Sequence, residues 1–265
     1  LVIGGAGFIG SYVVEELIKK GHKVLIVDNL KKNNCLFYVN PLAEFICKDI
    51  TDPFTFQVLD GYEIDGVYHL AAQTSTEGAY ADPASDILTN SYGTWLVANY
   101  CKNRKIKRLI YSSTSAVYGS ACKDVVDEET VVEPNSIYGV SKYSGELFVK
   151  QLLNGSDTKY SIFRFANIYG PGENLNFMGK GMVGIFCSFI WKKKPIVVRG
   201  SLERFRDFLY ISDMVEALIT AYGCDNAHNQ VYVLSSGKKV YLKELIEKIV
   251  YASGSPIDYP VVIAQ

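Results

Sequence analysis

Leu1-Val2-Ile3-Gly4-Gly5-Ala6-Gly7-Phe8-Ile9-Gly10 reads as a buried strand entering a glycine turn and then a helix, and this stretch decides the fold. Three apolar residues end at glycines spaced three apart, Gly4, Gly7 and Gly10, and Ile9, Val13 and Leu17 then recur every four residues as a buried helical stripe. Each glycine has its own task. Gly4 lets the chain turn sharply, Gly7 lets the backbone approach a phosphate with no Cβ in the way, and Gly10 lets the helix pack closely on the strand. The amides opening the helix, at Phe8 and Ile9, and its positive dipole end suit the pyrophosphate of a dinucleotide.

In a chain holding 22 glycines such a pattern is weak by itself. Context strengthens it: the apolar run Lys23-Val24-Leu25-Ile26-Val27 follows at βαβ distance and stops at Asp28, eighteen residues beyond Gly10. An acidic side chain there accepts hydrogen bonds from ribose hydroxyls and repels a 2′-phosphate, so NAD is expected over NADP. Lys31 and Lys32 lie close enough to oppose that preference. The plain alternative is a structural βαβ turn with an incidental aspartate.

The chain has 265 residues, 48% of them hydrophobic, enough for one large domain or one domain with a smaller lobe. A net charge of −1 leaves no electrostatic footprint for nucleic acid or an anionic membrane, and Lys192-Lys193-Lys194 reads as the solvated end of a helix. Six cysteines, at 35, 47, 101, 122, 187 and 224, include no CxxC spacing, so neither a metal site nor a disulfide framework is expected and a reducing cytoplasm is the expected location. No apolar stretch has the length of a membrane span and no leader is evident. The glycosylation-like Asn154-Gly155-Ser156 is read as accidental. A first strand of three residues without an initiator Met suggests that the natural chain starts earlier.

Apolar runs ending near Asp28, Cys47, Leu70, Ser112 and Ala166 alternate with helical stretches, the pattern of an α/β, Rossmann-type, doubly wound parallel sheet. Ligands bind such sheets at the carboxyl ends of the strands. The turn cluster Tyr169-Gly170-Pro171-Gly172 marks a boundary. Residues 1–167 are expected to form the dinucleotide-binding domain and 168–265 a substrate lobe, with some segments returning to the first domain. Helices are expected near 185–192, 212–221 and 242–251, and strands near 196–198, 208–211 and 230–234.

Tyr138-Gly139-Val140-Ser141-Lys142 places Tyr138 and Lys142 four residues apart, on one helix face. A phenol has a pKa near 10, but an ammonium and a cationic nicotinamide would stabilise the phenolate, so Tyr138 would take a proton from a substrate hydroxyl while hydride leaves the same carbon. Such pairs also occur in ordinary helices. Twenty-four residues before Tyr138, at the end of the run Leu109-Ile110-Tyr111, stands Thr114 in Ser112-Ser113-Thr114-Ser115-Ala116-Val117-Tyr118-Gly119. A hydroxyl at a strand's carboxyl end would reach the reacting oxygen; a Ser-rich loop is the bland alternative.

Taken in order, Gly4–Gly10, Asp28-Asn29-Leu30, Asp49-Ile50, His69-Leu70-Ala71-Ala72-Gln73, Asn90 with Gly93-Thr94, Ser112–Gly119, Tyr138 with Lys142, Arg164–Gly170 and Arg206-Asp207-Phe208 resemble the extended short-chain dehydrogenase/reductases. Within them, the set is similar to the NAD-dependent nucleotide-sugar epimerases of the UDP-glucose 4-epimerase kind. That resemblance implies that Asn29, Asp49 and Ile50 bind the adenosine end of NAD, that Leu70, Ala71, Ala72 and Asn90 line its ribose and nicotinamide, and that Phe165 flanks the nicotinamide. It also implies that Thr74, Thr114, Asn167, Val183 and Arg206 hold the nucleotide sugar, Asn167 and Arg206 at the diphosphate. Taken alone, Arg206 would pair with Asp207 or Asp213, and His69 would be a satisfied core histidine.

Two departures narrow the reaction. Related dehydratases carry Asp-Glu, or at least Glu, just after the catalytic hydroxyl, and related decarboxylases a glutamate at the second position; here Ser115 and Ala116 stand there. Relatives also continue further, supplying a second pyrophosphate arginine and a residue that controls sugar size. The expected activity is epimerisation of a nucleotide sugar, UDP-linked, at C4, through a transient 4-keto sugar. The alternatives are a nucleotide-sugar 4-ketoreductase or epimerase/reductase, which Asp28 disfavours, and a non-catalytic dinucleotide-binding sensor or scaffold, which intact Thr114, Tyr138 and Lys142 disfavour.

The expected helix near 86–102 is apolar on two sides. Ile87, Thr94, Ala98 and Cys101 suit the sheet, leaving Leu88, Tyr92 and Trp95 for a partner. With the helix near 142–153 this face is expected to build a symmetric homodimer, as in the resembled family, unless the chain's own loops cover Tyr92 and Trp95.

Overall fold

The computed structural model describes residues 1–31, 39–121, 125–173, 175 and 181–264, so Lys32, Cys35, Cys122 and most of the expected loop before Gly184 lie outside the described residues. The chain runs β1 (Val2–Ile3), α1 (Phe8–Lys19), β2 (Leu25–Asp28), β3 (Glu44–Cys47), α2 (Phe54–Leu59) and β4 (Gly66–His69). Next come α3 (Thr76–Ala81), α4 (Pro83–Ile87), a π-helical turn (Leu88–Gly93), α5 (Thr94–Asn103), β5 (Arg108–Thr114), a 3₁₀ segment (Ser115–Ala121), α6 (Ile137–Leu153) and β6 (Lys159–Phe165). The remainder is β7 (Asn167–Tyr169), α7 (Met182–Trp191), β8 (Ile196–Arg199), β9 (Phe205–Arg206), β10 (Phe208–Tyr210), α8 (Ile211–Tyr222), β11 (Gln230–Leu234), β12 (Val240–Tyr241), α9 (Leu242–Ala252) and β13 (Val261–Ala264).

Two compact units result. The first is Leu1–Phe165 with Ser212–Leu234; the second is Ala166–Ile211 with Ser235–Gln265. The first crossing falls two residues before the one expected after Asn167, and β11 belongs with the first unit.

In the first unit a seven-stranded parallel sheet has the order β11-β6-β5-β4-β1-β2-β3. This is the expected doubly wound arrangement. Strand order reverses beside β1, so the carboxyl ends of β1 and β4 open the crevice where such sheets bind ligands. β1 and β4 are buried along their whole length and β5 along all but Thr114, because helices cover both faces of a parallel sheet and leave no solvent side for alternation. Gly145 lets α6 lie on β5: a Cβ there would stand 2.4 Å from the Tyr111 hydroxyl.

The α4–α5 region departs from the expected stripe. Thr94, Ala98 and Cys101 are buried, but Ile87 is half exposed and Asp86 and Asn90 take the inward positions. The cause is the π-helical turn: its wider winding inserts a residue and rotates everything before it off the 3.6-residue phase.

The second unit packs α7 and α9 on Phe186, Ile196, Val198 and Phe208, with Leu242, Leu245, Ile246 and Val250 repeating at helical spacing along α9. Its short strands pair as β7 with β10, β9 with β12 and β8 with β13.

Candidate active site

Gly4 turns the chain with φ +82°, and a Cβ there would lie 2.5 Å from the Ala71 nitrogen; at Gly10 it would lie 2.0 Å from the Gly4 oxygen. Packing alone demands glycine at both. At Gly7 a Cβ would meet only the Gly4 oxygen, at 3.2 Å, a closer approach than a side chain ordinarily makes but a far lighter constraint than at Gly4 or Gly10. Gly7 caps α1 in extended backbone without a side-chain cap, and the first turn carries no acidic residue. The amides of Phe8 and Ile9 therefore open an uncapped helix N-terminus that suits an anion.

Asp28 ends β2 and supports this turn: Oδ2 accepts the Ala6 N–H at 3.1 Å and Oδ1 the Leu30 N–H at 2.8 Å. At the neighbouring strand end, Asp49 accepts from Asn29 Nδ2 at 3.0 Å, Lys31 Nζ at 2.7 Å, the Thr51 N–H at 2.9 Å and the Thr51 hydroxyl at 2.8 Å. Burial alone would raise the Asp49 pKa, but these donors hold it far below the carboxylate range. Lys31 is thus directed at Asp49. Ile50 is buried in the core, close enough that a Cβ at Gly93 would lie 2.8 Å from its Cδ1.

Thr114 ends β5 and Tyr138 opens α6, whose N-cap Ser136 accepts the Gly139 N–H at 3.1 Å. Thr114 acts on the Tyr138 phenol and favours its ionised form. The phenol pKa is pushed up to about 12 by burial, against the pull of Thr114, and the Asp86 carboxylate adds to the rise. Lys142 is buried, with Nζ 4.5 Å from the centre of the Tyr111 ring. Beside it His69 is fully buried, its Nε2 3.0 Å from the Thr94 hydroxyl; burial first and the Lys142 charge second hold its pKa down to about 3.

Leu70, Ala71 and Ala72 follow β4 at the carboxyl edge and are partly exposed, and Thr74 is exposed. Asn90, expected among the cofactor residues, is fully buried: its Oδ1 accepts the Gln73 N–H at 2.9 Å and its Nδ2 donates to Gln73 O, Asp86 Oδ1 and Ser141 Oγ. Its amide ties the loop after β4 to α6. Phe165 is buried at the end of β6, paired in register with Thr114.

In the second unit, Asn167 Nδ2 donates to the Asp207 carbonyl at 2.9 Å. Arg206 is exposed and donates Nη1 to the Phe205 carbonyl at 2.8 Å, while the Asp207 carboxylate accepts from Ser236 and Lys238. Val183 lies partly buried in the first turn of α7. No group of histidine, cysteine or acidic side chains suited to a metal occurs among the described residues.

Sequence reasoning took Ser113, Tyr118 and Arg164 only as parts of motifs and passed over Glu146, although these four form a buried polar cluster beside Thr114. The available signal was Glu146 four residues after Lys142, on the helix face that also carries Val149 and Leu153.

These residues fit a dinucleotide: two glycines required by packing, a third open to a ligand, an uncapped helix N-terminus and an acid ending β2. The family model for the NAD dependent epimerase/dehydratase family matches residues 1–235, and the chain belongs to that family. A UDP-glucose 4-epimerase from Thermotoga maritima, solved with UDP-glucose, superposes with a TM-score of 0.93 at 31% identity, over 99% of this chain and 84% of that one. A UDP-N-acetylglucosamine 4-epimerase from Methanobrevibacter ruminantium, solved with UDP-N-acetylmuramic acid, gives 0.89 at 32% identity, over 100% and 84%. UDP-glucuronic acid decarboxylase 1 of Arabidopsis thaliana is 30% identical over 94% of this chain and 57% of its own length. No helix among the described residues is long and apolar enough to cross a membrane.

Proposed function

We propose that this chain is an NAD-dependent epimerase acting on a UDP-hexose at C4. Overall similarity extends to a decarboxylase as well as to epimerases, so the reaction class rests on one local observation. Thr114 at the end of β5 acts on the Tyr138 phenol, and the turn that follows holds Ser115 and Ala116, with no carboxyl group for elimination or decarboxylation.

Bound NAD would supply a hydride acceptor that later returns the hydride, and a positive charge beside the phenol. Gly4, Gly7 and Gly10, with the amides of Phe8 and Ile9, would hold its pyrophosphate. Asp28, with Asn29 and Asp49, would hold the adenosine end, and Leu70, Ala71, Ala72 and Phe165 the nicotinamide end. Asn90 would act by fixing the loop after β4. Tyr138 takes the proton from the sugar 4-hydroxyl and gives it back after the 4-keto sugar has presented its other face. Thr114 steadies the same oxygen, and Lys142 supplies positive charge from α6. Thr74, Asn167, Val183 and Arg206 would contact the nucleotide sugar, Arg206 as a planar fork of donors suited to its diphosphate.

A homodimer is part of this reading. Leu88 and Tyr92 on the α4–α5 side, and Val140, Leu147 and Phe148 on α6, leave large apolar side chains exposed, and Tyr92 stacks on Trp95 with ring centres 5.7 Å apart. Such a surface on two neighbouring helices supports a symmetric four-helix interface. Among the described residues Cys47, Cys101 and Cys224 form no disulfide, which supports a cytoplasmic location.

The test is incubation with UDP-glucose and no added cofactor, followed by NMR of the products. The 4-epimer should approach equilibrium. A 4-keto-6-deoxy product, a turnover that begins only when NADPH is added, or carbon dioxide released in a parallel incubation with UDP-glucuronic acid would assign another reaction.

A further inference from the structure

Glu146 is fully buried on α6, one turn beyond Lys142. Its Oε1 accepts the Ser113 hydroxyl at 2.5 Å and Arg164 Nε at 3.0 Å, and its Oε2 accepts Arg164 Nη2 at 2.8 Å. Arg164 also donates Nη1 to the Tyr118 hydroxyl at 3.0 Å, and Tyr118 donates to the Asp127 carbonyl at 2.8 Å. Lys150 Nζ lies 3.9 Å from Oε2.

The sequence neighbours of this cluster are the groups assigned to the chemistry. Ser113 precedes Thr114, Arg164 precedes Phe165, Glu146 follows Lys142 by one turn, and Tyr118 belongs to the 3₁₀ segment that leaves Thr114. A buried, bidentate pair is a costly way to gain stability, because desolvation offsets most of its attraction. Its rigid two-point geometry is what a hydrophobic pair of equal volume would lack.

We infer that Glu146, held by Arg164, is a positioning residue: through Ser113 it sets the height of Thr114 against Tyr138. This rests on the function proposed above only for the roles of Thr114 and Tyr138, not for the identity of the sugar. If Ser113 lets go, Thr114 shifts at the end of β5 and its pull on the Tyr138 phenol weakens. The groups that act on Tyr138 are Thr114 and Tyr111 from β5 and Asp86 from α4, with Lys142 one turn further along its own helix. Ser113→Ala alters none of them.

The experiment compares NAD-loaded wild-type protein with Ser113→Ala, Glu146→Gln and the double variant. Tyrosinate absorbance against pH is measured for each as a difference from its Tyr138→Phe counterpart. Ser113→Ala should raise the Tyr138 midpoint by roughly half a pH unit or more, and lower kcat on UDP-glucose about 5-fold or more with KM unchanged. In the Glu146→Gln background, the added Ser113→Ala change should have no further effect on the midpoint. If Glu146→Gln does not fold, Ser113→Ala alone decides. A Tyr138 midpoint unchanged by Ser113→Ala overturns the inference, as does a full additive effect in the double variant. A wild-type protein inactive on UDP-glucose would instead overturn the substrate assignment and leave the titration to judge Glu146.

Discussion

The carboxylate of Asp28 accepts the backbone N–H of Ala6, at 3.1 Å, across the glycine turn. The acid expected to choose the cofactor is therefore also a strut of the loop that would hold it. Asp28→Ala should lower affinity for NAD and narrow its preference over NADP. It should also destabilise the protein by about 1–3 kcal/mol, since the buried Ala6 amide loses its acceptor. Titration of the apo protein with each cofactor, beside thermal unfolding, measures both effects. Equal affinity of the unaltered protein for NAD and NADP would refute a selective role for Asp28.

Tyr138→Phe removes one hydroxyl, the group proposed to carry the proton. Turnover should fall by about two to four orders of magnitude, while NAD affinity and melting temperature stay close to wild type. A variant keeping a tenth of wild-type turnover would take Tyr138 out of its assigned role.

His69 makes acid stability testable. Its pKa falls from 6.5 to about 3 on folding, chiefly by burial, with the Lys142 charge adding to the effect. The unfolded chain therefore binds the extra proton between those values. Stability is complete above about pH 6.5 and declines as pH falls toward 3, by up to about 1.4 kcal/mol per pH unit. Chemical denaturation of wild type and His69→Gln at a series of pH values should show a shallower acid limb in the variant. Parallel limbs would mean that other groups govern acid unfolding.

Light scattering at micromolar concentration should report a dimer. Leu88→Glu combined with Phe148→Glu should yield a folded monomer, because both side chains are exposed on the helices proposed to meet and like charges would face each other across a two-fold axis. A wild-type monomer would refute the interface.

The amino-acid sequence by itself determined the glycine turn, the α/β alternation, the family, and the placing of Tyr138 and Lys142 four residues apart on one helix. These features follow from backbone periodicity and local conformation, which neighbouring residues specify. It also displayed Ala116, on which the choice of reaction rests.

Tertiary structure decided what depends on distant residues and on exclusion of water. Ser113, Glu146 and Arg164 come from three different elements and meet only when α6 lies across β5 and β6. Lys31 turns to Asp49, eighteen residues away, and Asn90 is spent on Gln73, Asp86 and Ser141. The π-helical turn moved Ile87 outward because hydrogen-bond slippage leaves no mark in the apolar pattern. β11 joined the central sheet because its partner, β6, lies far away in the chain. Burial raises the Tyr138 phenol and outweighs the pull of Thr114, because desolvation is a property of the packed site that residue spacing does not show.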